Sequence, residues 1–217
     1  MDLEHARHNM IVQQIRPWDV ADEDVLEVLE QMPRETFVPA RYRHLAFADT
    51  ELPIGHGQKM MCPKLEARVL QALAIRPGDR VLEVGTGSGY LTACLSWLSG
   101  EVTSIDIHED FTLAAADKLR AQGVDHVTLL TGDALAGPVA GGPFDVIVVT
   151  GSLPAPRDDF ERQLAVGGRL FQVVGEGAAA SAMLITRVSE SAFQREVMFE
   201  TALAPLVNAE REASFVF

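Results

Sequence analysis

"VLEVGTGSGY", residues 81–90, is the stretch on which the fold turns. Apolar Val81, Leu82 and Val84 flank Glu83, glycines follow at 85, 87 and 89, and Tyr90 opens the helix-like run "YLTACLSWLS". A short strand, a glycine turn and a helix in that order aim a helix N-terminus at a ligand. The glycines allow close backbone approach and unusual φ angles. A dinucleotide fingerprint requires G-x-G-x-x-G, and the sixth position here is Tyr90. The alternating Gly85-Thr86-Gly87-Ser88-Gly89 spacing behind Glu83 points away from a pyrophosphate. It suits a smaller adenosine-containing ligand whose amino-acid part lies along the loop.

Working outward, "EVTSIDI" reads as the next strand, and Asp106 ends it seventeen positions after Gly89, with Ile107 behind it. An acid there can accept hydrogen bonds from both ribose hydroxyls and would repel a phosphate. "HVTLLTGD" reads as a third strand, and its terminal Asp133, followed by Ala134, is placed to reach an adenine amino group. Glu83, Asp106 and Asp133 thus converge on one crevice at successive strand ends.

Strands and helices alternate from 80 to 150, which argues for a parallel sheet covered on both faces. "FDVIVVTG" supplies a fourth strand and "GGRLFQVVG" (167–175) a fifth. "SAMLITRVSESAFQREVMFE" reads as two further strands joined at Ser189-Glu190-Ser191, an antiparallel edge hairpin. The fold class is therefore α/β, doubly wound and mostly parallel, with an antiparallel C-terminal edge. Residues 2–16 and 21–31 read as helices, and Pro63 is well placed as the first residue of a helix "PKLEARVLQALAI". The expected organisation is one compact domain: a helical cap and loop over 1–76, packed on an α/β core over 77–217 near the carboxyl edge of its sheet.

Composition narrows the function. At 217 residues the chain can bury roughly 70% of its unfolded surface. Eighteen basic against 31 acidic residues give a net charge of −13, so no nucleic-acid partner is expected. Arg41, Arg43 and His44, near Arg34, make the one basic-leaning neighbourhood, read here as a solvated helix face. No apolar run reaches membrane-spanning length, and the N-terminus has no apolar signal core, so no membrane association is expected. Two cysteines, Cys62 and Cys94, make no disulfide framework, and the expected compartment is the cytoplasm. Six histidines show no metal-ligand spacing, so no metal is expected.

These segments resemble the class I methyltransferases that use S-adenosylmethionine. "GDRVLEVGTGSGYLTACLS", "FDVIVVTGSLPAP" and "LAVGGRLFQVVGEG", with the upstream "VPARYRHLAFADTELPIGHGQ", look like the protein-L-isoaspartate O-methyltransferase family. The resemblance runs from about Met10 to Gly177, and "FETALAPLV" extends it more weakly. It implies a seven-stranded Rossmann-like sheet, S-adenosylmethionine as cofactor, S-adenosylhomocysteine as product, and methyl transfer to a carboxylate of isoaspartyl residues in damaged proteins. It places the cofactor on Glu83 to Tyr90, Asp106, Ile107, Asp133 and Ala134. It places the substrate loop on His56, Gln58, Lys59, Met60 and Met61, with His56 reading equally as a structural residue of the Gly turn.

The loop departs from the family pattern. Thr-Ile-Ser-Gln-Pro is usual after the Gly-Gln turn, and here Lys59-Met60-Met61-Cys62-Pro63 stands instead, with Met61 on the serine. No catalytic side chain is assigned, and Lys59 is a candidate charge partner for a carboxylate. Thr150 and Ser152, after the fourth strand, fall where substrates sit in such folds; each reads equally as part of a structural turn. Cys62 reads as a plain buried or half-buried cysteine. Three functions follow from the sequence: a carboxyl O-methyltransferase on isoaspartyl groups, a methyltransferase on another acceptor with an apolar part suited to the methionines, and a cofactor-binding adaptor without turnover. The acceptor is a protein or peptide carboxylate or a small molecule, and the oligomeric state is open.

Overall fold

The computed structural model describes residues 3–175 and 177–209. In chain order the regular elements are α1 (Leu3–Met10), α2 (Glu23–Gln31), α3 (Arg34–Phe37), β1 (Leu52–Gly55), β2 (Gln58–Met60), α4 (Pro63–Leu73), β3 (Arg80–Val84), α5 (Tyr90–Ser99) and β4 (Glu101–Asp106). They continue with α6 (Glu109–Ala121), β5 (Val127–Thr131), β6 (Phe144–Leu153), α7 (Asp158–Arg162), β7 (Leu164–Val174), β8 (Ser181–Arg187) and β9 (Phe193–Glu200).

β3 to β9 form one seven-stranded sheet in the order β5-β4-β3-β6-β7-β8-β9. Pairing is parallel from β5 across to β7 and antiparallel for β7–β8 and β8–β9. The sheet grows one way from β3 through β4 and the other way through β6. The crevice above the carboxyl ends of β3, β4 and β6 is therefore the switch point where open α/β sheets bind ligands.

Alternation along the strands divides the core in two. Val146 and Val148 of β6 join Leu70, Leu95 and the N-terminal Ile15, Val28 and Leu29 in one cluster. Ile147 and Val149 join Leu82, Phe160 and Leu170 in the other. A strand covered on both faces has no polar side, which is why "VIVV" reads as an unbroken apolar run. The N-terminal segment is packed into the same core as the sheet.

Local chemistry sets the boundaries. Asp22 caps α2 by accepting from the Val25 N–H at 3.1 Å. The helix expected over 2–16 is α-helical only to Met10; Ile11–Ile15 is π-helical, and Arg16–Trp18 is a 3-10 turn containing Pro17. α4 starts at Pro63 and stops at Leu73 rather than Ile75, because Ala74 turns left-handed at φ 43°. β6 runs past Gly151 to Leu153 because Ser152 exchanges backbone hydrogen bonds with Ala204 and Leu206. The stretch just ahead of Pro63 is expected as a glycine turn and loop. It is instead a β1–β2 hairpin, Leu52 opposite Met60 and Gly55 opposite Gln58. α7 was likewise not expected; it is short, and only Phe160 and Glu161 of its residues are buried.

Candidate active site

The hairpin, the β3–α5 glycine turn, the ends of β4, β5 and β6, and the C-terminal segment enclose one cleft of about 830 Å³. Glu83, Gly85, Thr86, Gly87, Ser88, Asp106, Ile107, Asp133 and Ala134 all line it, as do Gln58, Lys59, Met60, Met61 and Thr150. Three candidates do not. Tyr90 is fully buried with its ring edge-on to Phe37 and the Arg34 guanidinium 4.9 Å from its centroid. Gly89 serves helix packing: a Cβ there would meet the Ala115 Cβ at 2.9 Å. His56 sits at the hairpin tip.

The glycine turn is held from beneath. Gly85 has φ 99° and Gly87 φ 52°, both costly for a residue with a side chain. Thr150 donates its hydroxyl to the carbonyls of Val84 and Gly85, each at 2.9 Å, so it braces the loop. Glu83 lies under the turn, fully buried, and one carboxyl oxygen accepts from Thr92 (2.5 Å) and Ser104 (2.6 Å). Its other oxygen is buried without a hydrogen-bond partner among the described residues. Burial pushes the Glu83 carboxyl up to about 8 against the pull of those hydroxyls.

Asp106 is tied at both oxygens, accepting from the Gly87 N–H and the His108 N–H at 2.9 Å each. It is thereby aimed and kept ready for further acceptor bonds, since a carboxylate has about four lone-pair sites. Asp133 accepts from the Leu135 N–H at 2.8 Å and from the Asn208 amide at 2.9 Å. Asn208 thus ties the C-terminal segment to the acid read as the adenine partner, and Leu206 and Val207 beside it wall the cleft.

The hairpin wall is apolar and propped by an ion pair. Met60 and Met61 are both buried. Arg34, also fully buried, donates to the Met61 carbonyl (2.7 Å), to the Ala46 carbonyl (2.9 Å) and to Glu66, which itself lines the cleft. Burial pushes the Glu66 carboxyl up to about 7, opposed by Arg34. The basic neighbourhood read as a solvated face is split: Arg41, Arg43 and His44 are exposed, and Arg34 is in the core. Lys59 donates to Glu51 at 2.8 Å, and that bond raises its pKa. Burial raises the Cys62 thiol, which leaves it less reactive than a free cysteine. Ser152 donates to the Leu203 carbonyl at 3.1 Å and so serves the C-terminal segment.

Sequence reasoning did not find Glu66, His108, Phe111, Leu206 and Val207, all of which line the cleft. His108 lies two residues past Asp106 and was within reach of the same argument. The others arrive through tertiary packing.

A glycine turn after the central strand, carboxylates on three adjacent strands and an antiparallel last pair define the class I methyltransferases, which use S-adenosylmethionine. The residues present fit that cofactor: glycines that let it approach, and a buried Glu83 carboxyl oxygen beside them with no partner among the described residues. The family model described as protein-L-isoaspartate(D-aspartate) O-methyltransferase (PCMT) matches residues 5–211, and the chain belongs to that family. Protein-L-isoaspartate O-methyltransferase 1 of Rhodopseudomonas palustris (strain HaA2) is 40% identical over 209 residues, 96% of this chain and 85% of the relative. Protein-L-isoaspartate O-methyltransferase 2 of Marinobacter nauticus is 37% identical over 210 residues, 96% of each chain. In fold the chain is similar to a Plasmodium falciparum structure bearing the family's enzyme name and solved in complex with S-adenosyl-L-homocysteine. The TM-score is 0.78 at 20% identity, over 95% of this chain and 98% of that one.

Proposed function

We propose that this methyltransferase esterifies the carboxylate of isoaspartyl residues in proteins or peptides, in the cytoplasm, with the cofactor on the glycine turn and the acceptor against the β1–β2 hairpin. The observation that carries the reading is a single cleft running from Gly85–Ser88 to Met60–Met61 in a chain of this family.

Bound S-adenosylmethionine supplies a methyl group on a positively charged sulfur, and a carboxylate acceptor that takes it leaves an ester and a neutral thioether. A carboxylate with an ordinary pKa near 4 is already ionised at pH 7, so no residue has to remove a proton. That agrees with a cleft in which Lys59 is engaged by Glu51, and with a neighbouring Cys62 that is not activated. The chain's part is to orient and to exclude water, and correct positioning alone is worth about 7–11 kcal/mol of barrier. Opposite charges are lost as the methyl moves, so an apolar wall does not oppose the transition state. Met60 and Met61 are that wall. What they lack is a hydrogen bond to the acceptor, worth roughly 1.5–3 kcal/mol for a charged partner.

The same methionines favour a second reading, an acceptor with an apolar portion that packs on the two thioethers. The test is transfer of labelled methyl to an isoaspartyl peptide and to its aspartyl isomer. Label in the isoaspartyl peptide alone supports the first reading. Met61→Ser should then raise the rate by about one to two decades. Label in neither peptide, with wild type and with Met61→Ser, would remove the isoaspartyl acceptor and leave the second reading.

A further inference from the structure

The rim of the cleft carries a cluster of two imidazoles and a carboxylate. His56 at the hairpin tip, His108 just before α6 and Asp110 in its first turn come from segments more than fifty residues apart. His56 Nε2 lies 2.9 Å from Asp110 Oδ2 and 3.1 Å from Oδ1. The His56 and His108 rings stack with centroids 4.0 Å apart at 9°. Phe111 stands edge-on to both at 5.3 Å and backs the pair with apolar surface. One ligand atom from each of the three residues lies within 4.8 Å of the other two. His108 Nε2 is buried and has no hydrogen-bond partner among the described residues.

We propose that His56, His108 and Asp110 form a binding site for a divalent transition cation of the zinc class, bridging the β1–β2 hairpin to α6. Two imidazoles and one carboxylate are a borderline donor set, which selects zinc-like ions over magnesium or calcium, whose ligands are oxygens. With metal–ligand bonds of about 2.0–2.1 Å, tetrahedral ligand atoms stand roughly 3.4 Å apart. The His56–Asp110 pair needs to open by about half an ångström, the most distant pair to close by at most about 1.4 Å, and the His56 ring to turn out of its parallel stack on His108, because imidazole lone pairs lie in the ring plane. His56 and Asp110 are exposed and can turn to do so. Three protein ligands leave one position for water. Charge favours the ion: Glu109 adjoins the site, and the chain carries −13 overall.

The site would act on the cleft through its walls. His56 precedes Gln58–Met61 on the hairpin, and His108 follows Asp106 and Ile107. Both segments line the cofactor cleft, and a bound cation would fasten one to the other. This inference stands independently of the methyl acceptor.

The test is calorimetric titration of zinc chloride into chelator-treated protein, with magnesium chloride as the oxygen-preferring control. His5→Ala/His8→Ala serves as background, because the N-terminal helix also carries histidines. The expected result is one saturable zinc site, no magnesium heat, and an affinity loss of about tenfold or more in each of His56→Ala, His108→Ala and Asp110→Asn. Circular dichroism confirms that each variant is folded. Absence of a saturable zinc site, or a site abolished by the His5/His8 double variant and untouched by His108→Ala, overturns the proposal.

Discussion

Glu83 shows how much one side chain under the glycine turn is asked to do. It is fully buried and, among the described residues, hydrogen-bonded at one oxygen only, and burial holds its carboxyl up at about 8. Glu66 shares the direction, held up to about 7. Both folded-state values lie above the ordinary 4.5, so the folded protein keeps protons that the unfolded chain has released. Their stabilising contribution is complete below about pH 4.5 and is lost as pH rises through 7 and 8. The thermal midpoint, other groups apart, should therefore fall between pH 5 and pH 9. Glu83→Gln, which cannot ionise, should flatten part of that slope; a variant with the same pH profile as wild type contradicts this account of Glu83. Two glycines make the complementary case. Gly85→Ala would drive a Cβ into the Thr150 hydroxyl, at φ 99°, and should abolish cofactor binding in equilibrium dialysis. Gly89→Ala would meet Ala115 at φ 84° and should cost about 1–3 kcal/mol in urea unfolding, from overpacking and backbone strain together.

At the scale of elements, Arg34 is the junction. From α3 it reaches the Ala46 carbonyl, the Met61 carbonyl after β2, and Glu66 on α4. A buried charge that loses its partner costs about 3–5 kcal/mol, whereas replacing both members with apolar residues is often neutral. Arg34→Met should therefore destabilise by about that amount, and Arg34→Met/Glu66→Met should recover most of it in the same denaturant titration. A single variant within about 1 kcal/mol of wild type would deny Arg34 this role.

The elements that sequence made legible are those whose pattern is local. β3 and β6 carry apolar runs, β4 ends on an acid, and the glycine turn carries its own spacing. The β1–β2 hairpin was not legible, because strands of four and three residues are too short to show alternation. Its two-residue turn also places His56 at φ 50°, where Gly, Asn or Asp is the usual signal. The acids of the site were readable because they stand at or beside strand ends: Glu83 just before the end of β3, Asp106 on the end of β4, and Asp133 just past β5, which stops at Thr131 rather than at Asp133. The Asn208–Asp133 bond and the burial of Arg34 were not, because each depends on partners distant in sequence and a charged residue reads as exposed by default.

For the whole molecule, the sheet fixes where the chemistry lies, and the hairpin and C-terminal segment wall the cleft at the switch point. The net charge of −13 sets a long-range field that repels nucleic acid and attracts cations. Binding in the cleft should be visible as global stability, because a ligand that binds only the folded state stabilises it by RT ln(1 + [L]/Kd). At one hundred times Kd that is about 2.7 kcal/mol, or roughly 5–10 °C in Tm for a domain of this size. The most direct measurement is calorimetric titration of S-adenosylhomocysteine into the wild-type chain and into Asp106→Ala. The structure predicts one-to-one binding to the wild type and a loss of about tenfold or more in the variant, because Asp106 is the carboxylate the Gly87 and His108 amides aim into the cleft. A wild-type chain that binds no S-adenosylhomocysteine would contradict the assignment of the cleft, and with it the methyltransferase function.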